Sequence, residues 1–250
     1  MTAFTSVRPN DDVPFEVRLA DSEFLVVEKP AGVVTQPGKK HQYDSLLNGL
    51  FCDYGNALQN LGEAREWGLL HRLDKDTSGL VIVALRIRAY ERLLQQFKDR
   101  LVKKTYWTIV SGTPQPAQGV IQKPIAEVVG KIKRAILKRD GQQAITAYRI
   151  LQSAEDVSLV EAAPKTGRLH QIRVHLASLG CPVLGDELYG GKTPRPAVPR
   201  LCLHAAALSF LHPATGHRVR VNSPWPSDLA RTLKRLGLRE PLVSDHAGEV

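Results

Sequence analysis

Apolar residues along this chain recur at two spacings, and the switches between them predict most of its elements. Short runs of branched and aromatic residues, bounded by Gly, Asp or Ser clusters, read as strands at 24–28, 104–110, about 120–124, 144–151, 158–163, 203–211 and 218–221. Leu69-Leu70 and the run Val81-Ile82-Val83-Ala84 read as buried strands on either side of a polar connection. The first strand stops at Lys29-Pro30, where proline removes a ladder donor and Gly32 permits a tight turn. Three- and four-residue steps replace alternation at Ile87, Tyr90, Leu93, Leu94 and Phe97, which predicts an amphipathic helix over 85–99 that covers a sheet. A second helix is predicted over 167–179, with Thr166 as its N-cap, Leu169, Ile172, Leu176 and Leu179 as its buried stripe, and Gly180 as a left-handed stop. A third, over 227–236, ends at Gly237. Residues 35–67 and 186–200 are not placed by pattern, and the stretch 189–200 is too rich in Pro and Gly to be regular. The whole is a mixed α/β pattern dominated by consecutive strands.

Length and composition narrow this further. A chain of 250 residues can bury roughly 70–75% of its unfolded surface as one domain. One domain over 13–238 is expected, with loose ends at 1–12 and 239–250. The 34 Lys+Arg against 25 Asp+Glu give a formal charge of +9, which suits a polyanionic partner better than a membrane. No apolar run approaches the ~20 residues of a spanning helix. Cys52, Cys181 and Cys202 are odd in number and widely spaced, so neither a disulfide framework nor a thiolate zinc site is indicated. The start of the chain lacks the basic and apolar segments of a signal peptide, so a cytoplasmic protein is expected.

Two motifs mislead. Gly191-Lys192-Thr193 imitates the end of a phosphate-binding loop, but Asp186 stands where its first glycine belongs, and Pro194 and Pro196 block the following helix. His170 and His175 are five apart on a predicted helix, which points them away from one another, and no Glu accompanies them as in a zinc helix. They read as packing or nucleic-acid-contacting residues, and no metal site is expected.

The polar connection between the two buried runs is where chemistry is expected. In HRLDKDTSGL at 71–80, Asp74 is a carboxylate set between a basic pair and a glycine-led turn at the edge of a rigid scaffold. An Asx turn with ordinary surface neighbours would look the same. Arg173, one step beyond Ile172, can lie at the rim of its helix's buried stripe and reach a loop carboxylate, or face solvent. The run Lys131, Lys133, Arg134, Lys138 and Arg139 reads as a hairpin facing nucleic acid or as a solvated loop.

The same string resembles the catalytic motif of the RluA family of pseudouridine synthases, and it does not stand alone. LADSEFLVVEKPAG at 19–32 resembles the family's opening strand and K-P-x-G turn. KTYWTIVSG at 104–112 resembles its tyrosine strand, PKTGRLHQIRVHLASLGCPVLGD at 164–186 its long helix motif, and Leu203-His-Ala205 its last signature. These blocks, in the family's order, lie across most of residues 15–222.

The resemblance implies an α+β pseudouridine synthase fold: a mixed, largely antiparallel central sheet flanked by helices and loops, with a catalytic cleft across it. It implies an RNA pseudouridine synthase that isomerises uridines in structured ribosomal or transfer RNA. No cofactor is needed, because no electron or group enters or leaves. Asp74 is then the catalytic carboxylate, attacking C1′ or taking the C2′ proton, with both routes open. Arg173 is its cationic partner, suited by a permanent charge and paired hydrogen bonds, and Tyr106 stacks on the uracil. Arg72, His71, Arg168, Ile172 and Lys104 are expected to bind the extruded nucleotide. Many relatives carry a small RNA-binding domain ahead of the catalytic one, and none is expected here. A monomer acting on RNA, not DNA or membranes, is expected, the alternative being a catalytically silent RNA-binding or RNA-folding protein on the same fold.

Overall fold

The structure, a computed structural model, describes residues 7–130, 133–191 and 196–242. The strands are β1 (Glu16–Ala20), β2 (Phe24–Lys29), β3 (Ser78–Ala84), β4 (Lys103–Ser111), β5 (Gln118–Gln122), β6 (Ile125–Val128), β7 (Arg134–Leu137), β8 (Ile145–Ser153), β9 (Val157–Pro164), β10 (Leu203–Leu211) and β11 (Arg218–Asn222). The helices are α1 (Leu46–Leu61), α2 (Ile87–Lys98), α3 (Gln171–Ala177) and α4 (Ser227–Arg235), with a short 3-10 segment at Glu63–Gly68. Two compact units form: Met1–Val102 with Leu208–Ser223, and Lys103–Ala207 with Pro224–Val250. Among the described residues no helix is long and apolar enough to cross a membrane.

In the first unit β1, β2 and β3 run antiparallel, with Glu16 opposite Glu28 and Lys29 opposite Gly79. Every residue of β3, and all of β2 except Glu28, is buried. Strands covered on both faces read as unbroken apolar runs, which is how the sequence shows them. Helix α1 fills much of the segment 35–67 that pattern leaves unplaced. A capping box starts it: Ser45 Oγ accepts from Asn48 N, and Asn48 Oδ1 accepts from Ser45 N. It buries Leu46, Leu47, Leu50, Phe51, Leu58 and Leu61. Of the expected loose N-terminal stretch, residues 7–12 are described. They are tied to the first turn of this helix, Asn10 N donating to Asn48 O and Asn48 Nδ2 to Arg8 O.

Helix α2 is turned from its expected stripe. Ala89, Tyr90, Leu93 and Gln96 are buried, whereas Ile87 is 42% exposed. Gln96 takes a buried place because its amide satisfies both backbone groups of Leu211, donating to its carbonyl and accepting from its N–H. A periodicity count cannot see a glutamine used this way.

In the second unit the order is β4-β9-β8-β5, all antiparallel, with Tyr106 opposite Ala162 and Tyr148 also opposite Ala162. Strands β6 and β7 form a separate hairpin. It carries part of the basic run, and Lys131 lies outside the described residues. The hairpin closes on a small core of Ile125, Ala135, Ala144 and Val174, joined by Leu137, Leu169 and Tyr189. The expected helix over 167–179 is regular only from Gln171 to Ala177. Thr166 does not cap it, since its hydroxyl donates to Gln171 Oε1 and accepts from Ile145 N. His170 sits ahead of the helix in the left-handed region, φ 50°. The expected stop at Gly180 is present, φ 76°. Cys181 and Cys202 are buried, and Cys52 is exposed on α1. Burial pushes the Cys202 thiol up to about 12 and raises that of Cys181.

Candidate active site

In the first unit the turn that presents Asp74 is tied down on both sides of that residue. Leu73 is held by Thr35, whose hydroxyl accepts from its N–H at 3.0 Å and donates to its carbonyl at 2.8 Å. Lys75 O accepts from Gly32 N at 2.9 Å and from Lys29 Nζ at 3.1 Å. Lys29 is wholly buried, and its ammonium also reaches Pro30 O and Val33 O. Gly32 N and the Lys29 ammonium thus meet on the Lys75 carbonyl and staple the Lys29-Pro30-Ala31-Gly32 turn to the Asp74 turn, while the ammonium's other two bonds brace its own segment. The Asp74 carbonyl accepts from Thr77 N, and the residue is half-buried.

His71 accepts from Ile82 N through Nε2 at 3.0 Å, and its ring lies 5.2 Å from that of Phe97. A ring nitrogen that accepts from a backbone N–H is unprotonated, so the proton of neutral His71 sits on Nδ1. Arg72 is exposed. Leu70 N donates to Ile82 O and Leu69 bridges Val83, so the Leu69-Leu70 run borders β3 without forming a strand of its own.

In the second unit Tyr106 lies on β4, 9% exposed. Lys104 is two residues earlier on the same face. Its Nζ lies 3.4 Å from Thr166 O, and desolvation lowers the ammonium to about 8. Trp107, on the opposite face, is in the core as its register requires. Arg173 is 8% exposed and grips Asp186 with both hydrogen bonds of a fork, Nε to Oδ2 at 2.7 Å and Nη2 to Oδ1 at 2.9 Å. Burial would raise the Asp186 carboxyl, but the Arg173 bonds and charge, with N–H donors from Tyr189 and Leu188, hold it below the usual range. Ile172 is buried beside Arg173, and Arg168 is exposed with Nε on Gln143 O.

A polar network sets the start of α3. Gln171 Oε1 accepts from Thr166 Oγ1 and Arg168 N, while its Nε2 donates to Ile145 O and Thr146 Oγ1. His175 joins through Thr146 Oγ1 and Lys123 O, fully buried, and burial lowers its imidazole so that it stays neutral. Of the two histidines, His175 is therefore a packing residue. Asp186, Tyr189, Lys29 and Thr35 went unassigned by sequence reasoning. Lys29 opened the K-P-x-G turn and Asp186 closed the long helix motif, but nothing in a string says that a lysine will be roofed over or that an aspartate will clasp an arginine.

Residues 23–178 match the RNA pseudouridylate synthase family. The chain belongs to that family. A ribosomal large subunit pseudouridine synthase D of Zymomonas mobilis is 37% identical over 234 residues, covering 90% of this chain and 74% of the relative. One of the same name from Nitrosomonas europaea is 36% identical over 90% of this chain and 66% of its own length. Among solved structures, human RNA Pseudouridylate Synthase Domain Containing 4 superposes with a TM-score of 0.72 at 28% identity, over 91% of this chain and 95% of that one. The RluA-type reading of the motifs and the α+β fold class are borne out. As a pseudouridine synthase the chain is an isomerase that acts on RNA.

Proposed function

We propose that this synthase modifies uridines of structured ribosomal RNA, with Asp74 as the catalytic carboxylate. The observation that carries the assignment is the over-determined turn: Leu73 and Lys75 are each fixed by side chains from the segment 29–35, so the backbone that presents the carboxylate between them is held in one place. A catalytic group has to be positioned to a fraction of an ångström, and a surface turn does not.

The reaction breaks C1′–N1, turns the uracil in place, joins C5 to C1′, and moves the C5 proton so that N1 ends protonated. Asp74 either bonds C1′ or removes the C2′ proton to give a glycal, and both routes need it ionised. In this reading Arg173 is its cationic partner. Its clasp by Asp186 fixes the guanidinium plane, which a freely rotating arginine would lack. Tyr106 stacks on the base and serves proton transfer at C5. Lys104, Ile172, His71, Arg72 and Arg168 contact the extruded nucleotide and its backbone. Extrusion costs a few kcal/mol, recovered through such contacts.

Ribosomal RNA is preferred to transfer RNA because two relatives above are named as large-subunit enzymes. In this reading the enzyme works as a monomer in the cytoplasm, on RNA and not DNA. No observation favours the silent scaffold. Unmodified large-subunit ribosomal RNA incubated with the protein should gain pseudouridine at discrete positions, and Asp74→Ala should abolish them while retaining RNA binding. Identical maps from both proteins would refute the assignment of Asp74. New sites on transfer RNA alone would refute the choice of substrate.

A further inference from the structure

Tyr189 joins three parts of the second unit that the proposed chemistry treats separately. Its hydroxyl accepts from Ala135 N of β7 at 2.8 Å and lies 2.8 Å from His170 Nδ1. Its ring lies beneath the Arg173 guanidinium, with Cζ 5.2 Å from the centroid, and edge-on to the His170 ring at 5.6 Å. Its backbone N–H donates to Asp186 Oδ1, the oxygen that also accepts from Arg173 Nη2. One residue therefore touches the basic hairpin, the residue that opens α3, the arginine on α3 and that arginine's carboxylate.

Each contact restrains something that would otherwise move. The hairpin has only four-residue strands, and a two-stranded ribbon of this size is marginal without outside support. His170 holds a left-handed conformation, φ 50°, that costs a non-glycine residue of order 1–3 kcal/mol and needs neighbours to keep it. The ring face is an electrostatic seat for the guanidinium. Removing the hydroxyl alone breaks the ties to the hairpin and to His170 and leaves the seat in place.

We propose that Tyr189 is a positioning residue which couples the β6–β7 hairpin to Arg173, so that RNA seated on the hairpin steadies the guanidinium. This rests on the reading of Arg173 as the partner of Asp74 and of the hairpin as RNA-facing. The coupling is local and physical, running through two hydrogen bonds and a ring contact within one unit.

Tyr189→Phe tests it, using an unmodified transcript of large-subunit ribosomal RNA and single-turnover pseudouridine formation at saturating enzyme. The variant should bind the transcript within about twofold of wild type yet react about tenfold more slowly. Charge reversal of Lys133 and Arg134 should lower the saturated rate in wild type but not in the Tyr189→Phe background, where only affinity should fall. Additive losses of rate would overturn the coupling. Hydrogen exchange of the unmodified protein supplies a readout that needs no variant: adding the transcript should protect amides of 134–137 and 170–173 together, and protection of the hairpin alone would also overturn the idea. Arg173→Lys separates the two levels. If it is inactive while Tyr189→Phe reacts at the wild-type rate, the inference fails and the role of Arg173 stands. If Arg173→Lys is fully active, the underlying reading fails.

Discussion

Lys104 sits two positions before Tyr106 with its ammonium largely stripped of water, at about 8 in place of 10.5. That displacement corresponds to roughly 3 kcal/mol of unfavourable burial. The sign follows from proton counting. Below pH 8 the folded and unfolded chains both carry the charge and the fold bears the full cost, whereas between 8 and 10.5 the unfolded chain holds the extra proton and stability rises with pH. Lys104→Met should therefore raise the melting temperature at pH 7, with the gain shrinking toward pH 10, and should slow turnover. An equal gain at both pH values would show that packing, not charge, is responsible. A cost of this kind persists where a charge is used, and a substrate with partial negative charge on its carbonyls or phosphates is what an ammonium in that place would meet. The sequence marked Lys104 only as part of a motif, because desolvation depends on what folds over a residue and not on its neighbours in the chain.

At the scale of elements, strands were more legible than helices, for a physical reason. Strands β2, β3 and β10 are buried along nearly their whole length, so their apolar runs are unbroken in the sequence. Helix α1 has a buried face but begins with Ser45 and an asparagine in place of the usual Glu or Gln of a capping box, which hid its start. Helix α3 was read too long because Leu169 keeps the apolar step while the polar network around Thr166 and Gln171 holds the chain out of the helix. The Asp74 turn was placed correctly as a connection before β3. What fixes it, a lysine some forty-five residues earlier, involves long-range hydrogen bonds that no local pattern encodes. Lys29→Met tests that staple: it leaves Pro30 O and Val33 O without the ammonium, at a cost of roughly 2–4 kcal/mol. Turnover should fall at least tenfold with RNA affinity nearly unchanged. Full activity in a stably folded variant would remove Lys29 from the account.

For the whole molecule, the charge of +9 becomes useful once its distribution is considered. Lys133 and Arg134 are exposed at the hairpin, although Lys133 is partly spent on Glu127 at 2.5 Å. Each phosphate neutralised releases counterions, so binding weakens steeply with salt. Reversing Lys133 and Arg134 should weaken RNA binding and lower the slope of log affinity against log salt by about 2, with unchanged circular dichroism. An unchanged slope would assign the run to a solvated surface. The family, the fold class and the identity of the motif blocks were legible before any coordinates. The mutual clasp of Arg173 and Asp186 was not, since thirteen residues and a change of chain direction separate them.

The three cysteines offer a practical opening. Cys52 on the surface of α1 is open to a maleimide under native conditions, while Cys202, at about 12 and enclosed, stays silent until its surroundings open. A dye placed on the former gives a ready-made fluorescent reporter in the first unit. The delayed alkylation of the latter then becomes a clock for unravelling of the second, read in the same tube without engineering a single codon.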